Sequence, residues 1–324
     1  MPAIVSGAAK RKWQQLLTRP AKKQGFLPNL LRTQAMSPQK IEIYKHIEAL
    51  SISCIIPSKD RKTLLARALK SILAQHPAPD LFHSPEIIVV DDGSSDGTAA
   101  MLATDFPEVI VIRTKGLGPG PARNAGAKAA GGDILFFLDS DDIWRPPHLQ
   151  SLIPCFLKGY AFACSRAFNH NLVDGKDFTI PDTDVDLSRN AFSRMLRWCD
   201  MVPSAFAVRR DVFFLAGGFP NTRWGEDWLF FLELCARQKL CFVPEITVER
   251  TLHAKSLCAD EKLKQRIITM LDRLKAAVST LPGTGPENQE HFLALKKLAL
   301  EKGDTWRSIQ DFYTAAREAG LTAP

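Results

Sequence analysis

Two apolar runs in this chain break off directly into carboxylates, and they limit its fold more than any other feature. They are Glu86-Ile-Ile-Val-Val-Asp91-Asp92 and Ile134-Leu-Phe-Phe-Leu138, the second followed by Asp139-Ser140-Asp141-Asp142. Short continuous apolar runs between turn signals read as strands buried on both faces, as in a parallel sheet. A third such run, Ile52–Ile56, precedes them. It is followed by Leu64, Leu65, Ala68, Leu69, Ile72 and Leu73, which fall on one face at helical spacing. Asp96–Ala103 and Pro121–Ala130 read as further helices and Val109–Ile112 as a strand, so strands and helices alternate. Alternation at this rhythm means βαβ units, an α/β fold and a mostly parallel, Rossmann-like sheet flanked by helices. Ligands of such sheets bind outside the carboxyl ends of the strands. Here two of those ends are acidic clusters.

Beyond residue 150 the alternation weakens. Ala161–Phe168, Ala205–Arg209 and Thr247–His253 read as strands and Glu226–Arg237 as a helix. Leu263, Ile267, Leu271, Leu274 and Val278 form one face of a helix within 258–280, and two further helices follow Leu281-Pro-Gly-Thr-Gly-Pro286. The expected division is a basic N-terminal extension over 1–50, an α/β domain over 51–257 and a helical extension over 258–324. The chain is 45% apolar and 24% charged, which excludes disorder as its main state. No apolar run approaches the roughly 18 residues that span a bilayer.

The net charge of +7 is unevenly placed. Residues 1–40 contain Lys10, Arg11, Lys12, Arg19, Lys22, Lys23, Arg32 and Lys40 with no Asp or Glu, which leaves the remainder near neutrality. Nucleic acid is therefore not an expected partner. Trp13, Leu16 and Leu17, then Leu27, Leu30 and Leu31, add apolar anchors to the basic segment, a combination suited to peripheral contact with an anionic membrane. A solvated extension and a transit peptide are the alternatives. No secretory leader pattern is seen, and a cytoplasmic location, at the inner face of a membrane if the basic segment binds one, is the expectation. The seven cysteines form no C-x-x-C pair and most sit in apolar company, so reduced core thiols are expected.

Four constellations could carry chemistry. Asp139-Ser140-Asp141-Asp142 presents hard oxygen ligands at a strand end, suited to Mg²⁺ or Mn²⁺ completed by substrate phosphates; a helix cap and turn is the bland alternative. Asp91 and Asp92 leave a strand end and can accept hydrogen bonds from a base or ribose. The same stretch contains Gly93-x-Ser95-x-Gly97, the pattern of a nucleophile elbow, and Asp139 or Asp227 followed by His253 would give a triad order. An elbow strand sits mid-sheet after several others, however, and only one strand precedes this one. Gly116-Leu-Gly-Pro-Gly120 leads into a helix carrying Arg123 on its first turn, placed to meet an anion or simply to make the turn. Finally, Trp224-Gly225-Glu226-Asp227-Trp228 sets two acids at a helix start, where they either complement the dipole or supply a general base between aromatic rings.

In this order and with these gaps, the blocks resemble the family 2 glycosyltransferases of GT-A fold. The residues that carry the resemblance are Ser53-Cys-Ile-Ile-Pro57-Ser58-Lys-Asp60-Arg61, Val-Val-Asp91-Asp92-Gly-Ser-Ser-Asp96-Gly-Thr98, Ala122-Arg123-Asn124-Ala-Gly126, Asp139-Ser-Asp141-Asp142 and Gly225-Glu226-Asp227-Trp228. It covers about residues 51–255. The family implies a nucleotide-diphospho-sugar donor over the carboxyl edge of the sheet and a glycan or lipid-linked acceptor. By resemblance, Pro57, Ser58, Asp60, Asp91, Asp92, Arg123 and Asp139 would line the nucleotide site. Asp141, with Asp139 and His253, would hold a divalent metal. Asp227 would be the base that deprotonates the acceptor hydroxyl in an inverting transfer, with Glu226 orienting the acceptor or the base. Pro-Ser-Lys-Asp-Arg departs from the usual first block, where many relatives carry an aromatic residue before an amide, so the donor base stays open. Another nucleotide-using transferase and a binding module without turnover are the competing readings.

Overall fold

Ile52–Ser58 forms a seven-residue strand, β1, every residue of which is buried. The computed structural model describes residues 50–75, 84–172, 175–222, 224–252, 262–306 and 309–322. The basic segment 1–40 and His253, a proposed metal ligand, lie outside them. β1 is flanked by β2 (Glu86–Asp91) and β4 (Ile134–Phe137), both parallel to it, and β3 (Ile110–Arg113) pairs in parallel with β2. Pro57 fits in this central strand because the β4 ladder extends only to Ile55, so its missing N–H costs no bond on that side.

The remaining strands are β5 (Ile143–Trp144), β6 (Phe162–Asn171), β7 (Phe178–Ile180), β8 (Phe206–Arg209) and β9 (Leu240–Leu252). The sheet order is β3-β2-β1-β4-β8-β6-β9-β5, with β7 paired to β6. β8 runs antiparallel to both β4 and β6, and β9 runs parallel to β6. The carboxyl ends of β1, β2, β4, β6 and β9 therefore share one edge, and the residues just before β8 arrive at that edge as well. The parallel ladders hold most of the paired positions, as expected from the sequence.

Two cores follow from the period-2 alternation of these strands. Ile55, Ile88, Val90, Leu135 and Phe137 face one side; Cys54, Ile56, Ile87, Val89, Phe136 and Leu138 face the other. The second side is covered by α1 (Lys62–Leu73), α2 (Thr98–Asp105) and α4 (His148–Leu157). In α1 the buried Leu65, Ala68, Leu69 and Ile72 repeat at helical spacing. The first side is covered by α3 (Pro119–Ala129) and α7 (Glu226–Arg237), together with the short α5 (Ala191–Met195) and α6 (Arg210–Leu215). Three later helices, α8 (Leu263–Val278), α9 (Pro286–Lys302) and α10 (Ile309–Glu318), pack into the same core through Leu271, Leu274, Phe292 and Phe312. No described helix is long and apolar enough to cross a membrane.

α3 lies directly on β1 and β2 because Gly126 has no side chain. A Cβ there would fall 2.4 Å from Ile55 Cγ2 and 3.2 Å from Val90 Cγ2. Gly126→Ala is expected to cost about 1–3 kcal/mol through overpacking, read as a lower urea midpoint at an unchanged m-value. An unchanged midpoint would show that the helix can lift off without penalty.

The expectation of reduced thiols needs one correction. Cys54, Cys164, Cys199 and Cys235 are buried and free, but Cys155 and Cys241 form a disulfide. The last turn of α4 crosses the start of β9 and brings their Cα atoms to 5.8 Å, although 86 residues separate them in sequence. Spacing alone cannot reveal such a contact.

Candidate active site

The carboxyl edge of the sheet gathers the acidic clusters, and each carboxylate has a distinct partner. Asp91, at the end of β2, is fully buried; its Oδ1 accepts the Ser94 N–H at 2.8 Å, and Arg113 Nε lies 3.3 Å from Oδ2. Asp92 holds the glycine loop before α3. It accepts Thr114 Oγ1 at 2.6 Å, Leu117 N–H at 2.7 Å and Gly118 N–H at 2.8 Å. Burial alone would raise its pKa, but these donors together hold the carboxyl below its ordinary value.

Asp60 stands in the left-handed region, with φ 49°, rare for a residue with a side chain. The turn is fixed against the loop after β2. Asp60 N–H donates to Ser94 Oγ at 2.9 Å, Ser95 N–H donates to Asp60 Oδ1 at 2.7 Å, and Lys62 N–H donates to Asp96 Oδ2 at 2.8 Å. Beside this turn Ser58 is buried, and its Oγ has no hydrogen-bond partner among the described residues.

Arg123 joins the two halves of the edge. Its guanidinium donates to Asp139 Oδ1 at 2.5 Å and to Glu226 Oε1 at 3.1 Å, and it lies 5.2 Å over the Phe219 ring. The cluster after β4 thus sits within one guanidinium of the acids that open α7. Burial works to raise the Asp139 pKa, but the Arg123 charge and hydrogen bond outweigh it and hold the carboxyl below its usual value. Glu226 is pushed up to about 7 by burial and then by the neighbouring Asp227 charge, against the pull of Arg123. Asp227 is raised as well, chiefly by burial, with Arg123 opposing. Its Oδ1 accepts the Trp228 N–H at 2.8 Å, and unlike Glu226 the residue is only half-buried.

Two devices aim the start of α7. Asn124 clamps the preceding loop, its Nδ2 donating to the Phe219 carbonyl at 2.7 Å and its Oδ1 accepting the Phe219 N–H at 2.9 Å. Gly225 has φ 71°, and a Cβ there would stand 2.5 Å from Met270 Cγ on α8. α8 therefore supports the acids from behind.

The cluster after β4 is matched by three arginines. Asp139 pairs with Arg123, Asp141 with Arg61, and Asp142 with Arg250 at 3.1 Å. Ser204, just before β8, donates to Asp142 Oδ2 at 2.5 Å and accepts the Asp139 N–H at 3.0 Å. Asp142 is pushed up to about 7, first by burial, with Arg250 opposing and Asp141 and Asp139 reinforcing it. Arg250 also donates to Asn169 Oδ1 at 3.0 Å. Asn124, Asn169, Ser204, Arg250 and the pairing of Arg61 were not assigned from the sequence. Arg61 and Asn124 at least stand inside recognisable blocks. A lone arginine near the end of a strand was the only signal for Arg250, and Ser204 had none.

Two carboxylates of the cluster suit a divalent cation that draws its remaining ligands from a diphosphate and water. Asp139 engages arginine through Oδ1 and Asp141 through Oδ2. Among the described residues no three metal-ligating side chains converge into a protein-only cage.

The sequence family described as "Glycosyl transferase family 2" matches residues 53–214. An uncharacterized glycosyltransferase of Nostoc is 34% identical over 176 residues, 50% of this chain and 52% of that protein. The Escherichia coli protein named UDP-Glc:alpha-D-GlcNAc-diphosphoundecaprenol beta-1,3-glucosyltransferase WfgD is 29% identical over 153 residues, 46% of this chain and 56% of that protein. The chain thus spans about half the length of these relatives. S. aureus TarS 1–349 in complex with UDP-GlcNAc has a similar fold, with TM-score 0.55 at 18% identity, covering 84% of each chain. The arrangement expected from the motifs, a GT-A-like sheet with helices on both faces and a helical C-terminal part, is the one observed.

Proposed function

Because the chain belongs to glycosyl transferase family 2, we propose that it moves a sugar from a nucleotide-diphospho-sugar to an acceptor hydroxyl, with inversion. The observation that carries this reading is the double ion pair of Arg123, which ties Asp139 of the strand-end cluster to Glu226 beside Asp227. A donor over the sheet edge would place its diphosphate toward the cluster and its anomeric carbon toward α7.

The nucleotide would lie on the loops after β1 and β2, where Ser58 presents a buried hydroxyl with no partner among the described residues. Pro57, Asp60, Asp91 and Asp92 shape that seat, Asp60 and Asp92 through the backbone they hold. Uridine is the favoured base, since the name of the E. coli relative specifies UDP-Glc and TarS has been seen with UDP-GlcNAc. Asp139 and Asp141 would hold Mg²⁺ or Mn²⁺ together with the diphosphate. When bound, the cation neutralises charge developing on the leaving group. Asp227 accepts the acceptor hydroxyl proton while the acceptor oxygen bonds to the anomeric carbon. The bond from that carbon to the diphosphate breaks, and its electron pair leaves with the diphosphate. Glu226 and Arg123 position Asp227. The acceptor is a glycan or lipid-linked glycan, in line with the E. coli relative's name and with ExoO of Rhizobium meliloti, named for succinoglycan biosynthesis. Residues 1–40 would keep the protein near an anionic surface carrying such an acceptor.

Calorimetric titration with UDP-, GDP- and dTDP-sugars, with and without Mn²⁺, tests the donor reading. UDP-sugars should bind, and more tightly with Mn²⁺; heat from none of them would overturn it.

A base must be ionised to accept a proton, so transfer should fail as pH falls through the Asp227 pKa. That pKa is raised, so the acid limb of the kcat/KM profile should lie above the ordinary aspartate value of about 4. An acid limb at or below that value would exclude Asp227 as the base.

A further inference from the structure

Arg61 occupies an unusual position. Its guanidinium pairs with Asp141, the carboxylate to which the metal reading gives the cation. Both flanking residues are held by their backbones. Asp60 is turned into the left-handed region against Ser94 and Ser95, and Lys62 N–H is bound by Asp96. Arg61 thereby reaches from the β1 loop, which leaves the buried Ser58 where the donor would lie, across the edge to Asp141.

The other two arginines of the cluster are more deeply held. Arg123 is nearly buried and shared with Glu226, and Arg250 is shared with Asn169. Arg61 is the most exposed of the three, its side chain 25% accessible against 4% and 18%. Each of the three carboxyl groups of residues 139, 141 and 142 already faces a guanidinium. A divalent cation arriving alone would meet a compensated site and a guanidinium on its ligand. A diphosphate arriving with it supplies the negative charge that an outgoing guanidinium needs.

Resting on the donor reading above, we propose that Arg61 is a positioning residue that holds Asp141 until donor and cation arrive together. It then transfers from Asp141 to the donor diphosphate. Cation and nucleotide binding are coupled through this exchange, so each strengthens the other by the same factor.

The test is Mn²⁺ titration, read by the electron paramagnetic resonance of free Mn²⁺, with and without saturating UDP. The full chain should bind Mn²⁺ at least about 10-fold more tightly with UDP. Arg61→Gln should bind Mn²⁺ alone about 5-fold more tightly than wild type and lose most of the UDP enhancement. Arg61→Lys, which keeps the charge, should retain coupling, and its thermal melt together with that of Arg61→Gln separates this from misfolding. Arg61→Gln that folds but couples as strongly as wild type, or binds Mn²⁺ alone no better, overturns the Arg61 assignment and leaves the donor reading standing. A wild-type chain that binds neither UDP nor Mn²⁺ overturns the donor reading, and this proposal with it.

Discussion

Asp227→Asn is expected to lower kcat about 10³-fold while leaving UDP affinity within about 2-fold of wild type. The amide keeps the shape and can still accept the Trp228 N–H that Asp227 accepts at 2.8 Å, so α7 should start unchanged. What it cannot do is take a proton from the acceptor hydroxyl. The half-buried carboxylate, its pKa raised chiefly by burial, is basic enough for that task, whereas Glu226 is occupied by Arg123 at 3.1 Å. Initial rates of UDP release and calorimetric UDP titration separate the two effects. A parallel loss of rate and UDP affinity would make Asp227 a donor contact rather than the base.

Arg123→Ala should be the most damaging single change in the site. It leaves the buried ends of Asp139 and Glu226 without their shared cation, and breaking a buried pair in this way costs about 3–5 kcal/mol. In a chain of this size that amounts to on the order of 10 °C in Tm. The loss should depend on pH. Without Arg123 the folded-state pKa values of both carboxylates rise, while their unfolded values stay the same. A carboxyl raised in the folded state favours folding below its unfolded pKa and loses that contribution as pH rises through its folded pKa. The gap between wild type and Arg123→Ala should therefore be wide at pH 8 and narrow at pH 5. Thermal melts across that range check it. A gap of equal size at both ends would mean that lost packing on Phe219, not charge, dominates.

The strands that matter most were legible because their burial on both faces writes continuous apolar runs. β1 begins with the Ile52–Ile56 run and continues two residues past it to Ser58, while β2 and β4 stop one residue short of the ends of their runs, at Asp91 and Phe137, with Asp92 and Asp139 close behind. β5 and β7 were not foreseen: with two and three residues they have too little sequence to show a period. The first half of β9 was hidden because its pairing with β6 shifts register around Arg166, beside Pro244 and Glu245. The partners of the acids were hidden for a different reason. Ser204 reaches Asp142 across 62 residues and Arg250 across 108, and only the reversal of β8 between β4 and β6 delivers them to the same edge. Local pattern gives the carboxylates; topology gives the cations that hold them.

The proposed transfer is one displacement, with the diphosphate leaving from one face of the anomeric carbon and a nucleophile activated by Asp227 arriving at the other. Proton NMR of the first sugar released when the full chain hydrolyses UDP-glucose or UDP-N-acetylglucosamine with Mn²⁺ reads that geometry directly. Both donors are α-linked. Release of the β-anomer first, abolished in Asp227→Asn, is the predicted result. Release of the α-anomer first, or equal release by Asp227→Asn, would contradict it.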